Sequence, residues 1–145
     1  MRQVDRSALV SYSAPQMYAL VEDVESYPQF LPWCTGARLH EKSATELKAG
    51  IGIGLGALNS EFSTRNELNP PQSMTMELLE GPFSCLRGRW EFEPLGDAGC
   101  EARLRVEFDF DSAAQDVLFG AAFEKVCNEL MDAFVRRADA LYADA

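Results

Sequence analysis

Two polar side chains interrupt an apolar strand face that the alternation of residues predicts. Phe62, Thr64, Asn66 and Leu68 share one side of this strand. If that side is buried, the Thr64 hydroxyl and the Asn66 amide each need a hydrogen-bond partner. Neighbouring backbone can provide one, and so can a carbonyl oxygen on a bound molecule, to which the Trp90 indole N–H could also donate. These groups therefore suit recognition of a polar head on an otherwise apolar molecule.

Groups that catalyse reactions are sparse. His40 is a lone histidine, so a nucleophile–histidine triad lacks its other members. Glu22, Asp23 and Glu25 cluster, but a solvated acidic face explains them better than a pair of catalytic carboxylates does. We therefore predict a protein that is not an enzyme and that has no cofactor.

The cysteines form no Cys-x-x-Cys pair, which argues against a zinc site. They are Cys34, Cys85, Cys100 and Cys127. We interpret them as reduced thiols of a cytoplasmic protein, with disulfides as the less favoured alternative.

Length and composition predict one globular domain over residues 1–145. Apolar residues make up 47% and charged residues 25% of the chain, which are ordinary globular values. The formal net charge of −10 disfavours DNA, generic nucleic-acid binding and capture by anionic lipid. No apolar stretch approaches the length of a transmembrane helix, and no secretory signal is evident.

The elements that would position these groups begin with a strand over residues 4–10 and a short helix. Ser13, Pro15 and Gln16 form a capping-box pattern with proline in the first turn. Ser26 could cap a second short helix, which Pro32 would end at Leu31. Period-two alternation then predicts strands at 38–41, 44–55, 60–68, 74–78, 86–93 and 102–110.

A long helix follows the strands. Ser112 begins a second capping-box pattern, and apolar residues recur at helical spacing to about Tyr142. Such a helix would cross a domain of this size and can bury its apolar stripe only along the concave face of a sheet. The order predicts an α+β fold with about six or seven antiparallel strands wrapped round the C-terminal helix. A gap between sheet and helix is where a ligand would sit.

This order of elements resembles the helix-grip, START-like (polyketide cyclase-like) superfamily of hydrophobic-ligand binders. More specifically, the motif DVESYPQFLPWC at residues 23–34 resembles the signature of the coenzyme Q-binding and ribosome association toxin family. The shorter motifs FSTRN at 62–66, GPF at 81–83 and WEF at 90–92 fit the same family in the same order. The resemblance covers essentially the whole chain.

The resemblance implies a non-enzymatic protein that binds a lipid-like ligand, ubiquinone or a related polyprenyl lipid, and supports respiratory electron transport. Bacterial members are also described as binding the large ribosomal subunit and blocking subunit joining, which is the alternative function. A basic strip of Arg87, Arg89, Arg103 and Arg105 on adjacent strands could make that contact. Related folds include cyclases and hydrolases, but we find no acid–base pair on the inward faces that would support an enzyme.

The candidate ligand-binding residues are those expected on inward faces or at the mouth of the gap, and ordinary core packing is the alternative for each. They are Phe30, Leu31, Trp33, Ile51, Ile53, Phe62, Thr64, Asn66, Met74, Met76, Trp90, Phe92, Val106, Phe108, Phe119, Phe123, Val126 and Leu130. The pair of short helices either caps the end of the sheet or forms a mouth that touches a membrane transiently, at its inner face.

The glycine-rich segment 50–56 forms, together with Ala57, a Gly-x-Gly-x-x-Ala match, but a strand rather than a helix follows it, so it is not a dinucleotide fingerprint. We predict that this segment flexes to admit ligand, because glycine within strands costs stability.

Overall fold

The computed structural model describes residues 1–143 as one antiparallel sheet with helices packed on its concave side. The strands are β1 (Arg2–Val10), β2 (Cys34–Lys42), β3 (Glu46–Leu55), β4 (Leu58–Asn69), β5 (Ser73–Glu80), β6 (Phe83–Pro94) and β7 (Cys100–Phe110). The helices are α1 (Ala14–Glu22), a 3₁₀ helix (Val24–Gln29) and α2 (Ala113–Tyr142). The seven strands are ordered β1-β7-β6-β5-β4-β3-β2, which confirms the predicted α+β architecture.

The strand predicted at 38–41 is wrong in extent, since β2 begins at Cys34 and ends at Lys42. Register shifts at Cys34/Gly36 and again at Leu39/Glu41 break the alternation that reveals a strand in sequence. The start of the next strand, predicted at residue 44, lies at Glu46, because Ser43 makes a tight turn there.

The first helix begins as predicted. The Ser13 hydroxyl accepts a hydrogen bond from the Gln16 backbone N–H at 3.2 Å, and the Gln16 side chain accepts one from the Ser13 N–H at 2.9 Å. This reciprocal pair satisfies donors that would otherwise be free at the helix start. Met17 and Val21 are fully buried on the helix face that meets the sheet.

The second short helix departs from its prediction at both ends. It starts at Val24 rather than after Ser26, and it stops at Gln29, before Leu31. Ser26 does not cap it; its hydroxyl instead donates to the Asp23 carboxylate at 2.6 Å. Pro28 lies inside the segment and has no N–H to give, so the chain forms a short 3₁₀ helix in place of a longer α-helix.

Helix α2 has 30 residues and is therefore about 45 Å long. Only half of its predicted capping box forms: the Ser112 hydroxyl accepts from the Gln115 N–H at 3.1 Å, but the Gln115 side-chain oxygen is buried without a partner. Arg2 fastens β1 to the helix through Asp116 at 3.2 Å. The helix packs mainly on β1 and β7, so space is left on the β3–β5 side of the sheet.

The interior under the first half of α2 is solid. Phe83, Phe108, Phe110 and Phe123 form a cluster in which ring centroids lie as close as 4.8 Å. Tilted and edge-to-face ring contacts of this kind fill space and hold the helix in one position on the sheet. This part of the interior therefore leaves no room for a ligand.

All four thiols are free, and Cys85 alone among them is half-buried rather than buried. Burial raises the pKa of Cys127 to about 12. A thiol held neutral in this way is a poor nucleophile, so Cys127 acts as a small core residue.

Candidate functional site

A cavity of about 100 Å³ lies between the sheet and the second half of α2. Its floor comes from the inner faces of β3, β4, β5 and β6, one wall from α2, and the other wall from the segment 24–33. The lining residues are Val24, Tyr27, Leu31, Trp33, Ala49, Ile51, Phe62, Thr64, Asn66, Met76, Trp90, Leu130 and Phe134. All but two carry apolar or aromatic side chains, so the cavity suits an apolar guest with one polar region.

The wall formed by the segment 24–33, called the outer wall from here on, is held to α2 by aromatic and polar contacts. The Tyr27 and Phe30 rings meet Phe134 with centroid separations of 5.5 and 5.1 Å. The Arg137 guanidinium lies 5.1 Å from the Phe30 centroid and donates to the Gln29 side chain at 2.9 Å. The polar contact is exposed and Phe30 is half-buried, whereas Val24 and Leu31 of the same wall are buried.

Thr64 and Asn66 are buried, with 6% and 4% of their surface exposed. The Thr64 hydroxyl donates to the Asn66 side-chain oxygen at 2.8 Å, and the Asn66 amide nitrogen donates to the Met74 sulfur at 3.5 Å. The hydrogen-bond acceptor for each of these two side chains is thus another side chain, whereas the sequence had suggested a backbone group. A thioether is a weak acceptor, so the amide N–H would gain from a carbonyl oxygen placed in the cavity.

The structure brings about half of the candidate ligand-binding residues to this cavity. Those that line it are Leu31, Trp33, Ile51, Phe62, Thr64, Asn66, Met76, Trp90 and Leu130. Helical spacing four residues after Leu130 could have added Phe134 to the candidates. Tyr27 lies in the family motif, and Ala49 lies two residues before Ile51 on the same predicted strand face.

The other candidates lie outside the cavity lining. They are Phe30, Ile53, Met74, Phe92, Val106, Phe108, Phe119, Phe123 and Val126. Phe108 and Phe123 are excluded because the first half of α2 packs directly on β7, where their ring centroids lie 4.8 Å apart. Phe92 stacks on Trp90 at 5.9 Å and so lies behind that ring.

The predicted basic strip is not a free cationic surface. Its four arginines do lie on neighbouring strands β6 and β7, but each faces a carboxylate. The closest nitrogen–oxygen distances are 2.8 Å for Arg87–Glu107, 3.3 Å for Arg89–Glu91, 2.7 Å for Arg103–Asp5 and 3.9 Å for Arg105–Asp5. These ion pairs neutralise most of the positive charge that would attract a phosphate backbone.

The glycines of β3 face the convex side, away from the cavity. A Cβ at Gly52 would lie 2.4 Å from the Thr35 side-chain oxygen, so this glycine lets β2 fold closely across β3. Gly56 has a φ of +57° in the β3–β4 turn. Flexing of this segment to admit ligand remains a prediction.

A curved antiparallel sheet gripping one long helix over an apolar cavity defines a helix-grip, START-like protein. No helix within residues 1–143 has the length and hydropathy needed to span a bilayer. The chain matches the polyketide cyclase / dehydrase and lipid transport family over residues 10–135, and it belongs to that family.

Relatives that match almost the whole of this chain include proteins with two kinds of name. The chain is 43% identical over 144 residues to the Vibrio cholerae protein named ribosome association toxin RatA, covering 99% of this chain and all of that one. It is 29% identical to the Drosophila melanogaster protein named coenzyme Q-binding protein COQ10, mitochondrial, over 93% of this chain and 57% of the other.

Solved structures share the fold. The ZhuI aromatase/cyclase of Streptomyces sp. R1128 superposes with a TM-score of 0.83 at 16% identity, covering 98% of this chain and 97% of that one. A START superfamily protein of Mycobacterium smegmatis gives a TM-score of 0.80 at 18% identity, covering 96% and 98%. At these identities the likeness concerns the fold alone.

Proposed function

We propose that this protein binds a hydrophobic ligand with a polar head, ubiquinone or a related polyprenyl lipid, between the sheet and α2. The observation that carries the proposal is an apolar cavity whose buried polar pair has a weakly satisfied amide donor. Binding is driven by removal of apolar ligand surface from water, at about 25 cal/mol per Å². The amide then orients the head, and the protein supports respiratory electron transport without altering its ligand.

The size of the cavity sets a condition on binding. Its volume of about 100 Å³ is smaller than the roughly 150 Å³ apolar cavity that accepts benzene, so a quinone ring requires the walls to move. Half-buried Trp33, Met76 and Leu130 are the lining side chains with freedom to do so. A long tail would protrude past them, and we propose that exchange occurs during transient contact with a membrane.

The cavity is not equipped for acid–base catalysis. Thr64 and Asn66 line it with a hydroxyl and an amide. The Tyr27 hydroxyl donates to the Val21 carbonyl oxygen, and burial raises the pKa of this phenol. None of these groups therefore transfers protons readily at neutral pH. The fold is shared with an aromatase/cyclase, but that likeness brings no catalytic residue to this chain. We therefore propose a carrier or chaperone of its ligand.

Solvent extraction of the freshly purified protein tests this proposal. We expect mass spectrometry of the extract to identify a polyprenyl quinone or similar lipid at a substantial fraction of the protein concentration. Ile51→Trp, which fills the cavity from its floor, should reduce that amount at least tenfold, whereas exposed Leu9→Trp should leave it unchanged. An extract without lipid, from protein that also fails to bind added quinone, would contradict the proposal.

A second candidate function is association with the large ribosomal subunit. The similarity to proteins named ribosome association toxin, which extends over almost the whole chain, favours it. The net charge of −10 and the paired arginines predict that any such contact is weak and depends on few phosphates.

Sedimentation with purified large subunits at low salt tests this second candidate. We expect the protein to enter the subunit fraction and to be released by moderate salt. Reversal of Arg87, Arg89, Arg103 and Arg105 to glutamate should abolish sedimentation if these residues make the contact. Absence of the wild-type protein from the subunit fraction would remove the ribosomal function.

A further inference from the structure

Four inward-facing positions form a lateral row across the middle of the sheet. Register pairs Asn66 with Met76, Met76 with Gly88, and Gly88 with Val106 on strands β4, β5, β6 and β7. Three of these residues carry side chains, and Gly88 presents bare backbone to the interior. Asn66 and Met76 line the cavity and Gly88 lies beside Met76, so the row places an amide donor, a flexible thioether and a bare backbone surface next to one another.

Gly88 matters for space rather than for backbone conformation. Its φ lies outside the left-handed region that favours glycine, and an alanine Cβ there would meet the Met76 methyl carbon at 2.6 Å and the Arg105 carbonyl oxygen at 3.2 Å, so the Met76 tip would have to shift. Glycine inside a strand lowers stability and often marks a place where another group approaches closely. In this structure the approaching group is the tip of Met76.

Met76 is well suited to move away from this place. It is unbranched, it is half-buried, and it lines the cavity. Displacement of its three terminal heavy atoms would enlarge the cavity of about 100 Å³ toward the roughly 150 Å³ that holds a benzene ring.

We propose that the ring of the ligand takes the place of the Met76 side chain and lies flat on Gly88, with a ring oxygen accepting from the Asn66 amide. The inference rests on the proposed function and adds to it the location and orientation of the head group. Asn66 and Gly88 are two strands apart, or about 9.6 Å, which leaves room for a ring between the amide and the bare backbone. The ligand class is a planar ring carrying a hydrogen-bond acceptor at its edge.

A double-variant comparison tests this location. The probe is a ubiquinone head group with one isoprenoid unit, titrated against the fluorescence of Trp33 and Trp90, both of which line the cavity. We expect Met76→Ala to tighten binding about tenfold and Gly88→Ala to weaken it at least tenfold. The double variant removes the clash with Met76 but keeps the new methyl group on the backbone, so it should bind at least tenfold more weakly than Met76→Ala alone.

Matched controls lie on β5 itself and on the edge strand β2. Leu78→Ala removes an inward side chain of β5 outside the cavity lining, and Gly36→Ala adds a methyl group where no atom lies within 4 Å. Both should bind as the wild type does, and thermal unfolding monitors the fold of every variant. A double variant that binds as tightly as Met76→Ala would overturn the inference. In that case the glycine at position 88 would be needed only to leave space for the Met76 side chain, and the ligand would not contact it. Failure of both the wild type and Met76→Ala to bind would instead refute the proposed function.

Discussion

Replacing Phe134 with alanine is expected to lower the free energy of unfolding by about 3–5 kcal/mol. The side chain is 2% exposed, and its ring meets Tyr27, Phe30 and Trp90 at centroid separations of 5.5, 5.1 and 5.2 Å. Loss of the ring therefore empties the place where α2, the outer cavity wall and the sheet meet. Urea denaturation followed by circular dichroism measures the change.

The matched control for Phe134 lies on the same helix. Leu118 is 69% exposed, so Leu118→Ala should change stability by no more than about 0.5 kcal/mol. A loss of less than about 1 kcal/mol for Phe134→Ala would contradict the packing described for this wall.

Replacing Gly99 with alanine is expected to cost about 2–5 kcal/mol, because backbone strain and a steric clash add at one position. Gly99 has a φ of +121°, and a Cβ there would lie 1.9 Å from the Val10 carbonyl oxygen. The β1–α1 connection and the start of β7 would have to separate to admit a methyl group. The loss appears in the midpoint of urea or thermal unfolding.

Gly96 provides the comparison for Gly99. It has a φ of +60° in the same β6–β7 turn, but no atom lies within 4 Å of its Cβ position. Gly96→Ala should therefore cost only about 1–2 kcal/mol, the strain of the left-handed conformation. Equal losses for the two substitutions would show that crowding against Val10 does not matter.

Local patterns predicted most of the fold. In β6 and β7 every second residue is apolar while arginines and glutamates occupy the other face. This alternation clearly predicts strands with one solvent-exposed and one buried face. The apolar stripe of α2 likewise predicted its end at Tyr142. The errors fell where the pattern is interrupted: bulges disguise the start of β2, and Pro28 converts the expected helix into a 3₁₀ turn.

The site was harder to predict than the fold. Thr64 and Asn66 were found from sequence because polar residues are conspicuous on an apolar face. The cavity wall could not be separated from the core, because Phe123 and Phe134 occupy equivalent places on the helix stripe. Their roles differ only because α2 lies on β7 at its first half and leaves space beside its second half, which long-range packing decides.

The central claim is that the sheet and α2 enclose a space that accepts a hydrophobic ligand. Methyl NMR spectra recorded during titration with the short-tail quinone test it most directly. We predict shifts at Ile51, Met76 and Leu130, which line the cavity, and none at Leu9 or Leu118, which are 73% and 69% exposed on the outside. Shifts confined to the exposed methyl groups, or no shifts at saturating quinone, would contradict the account.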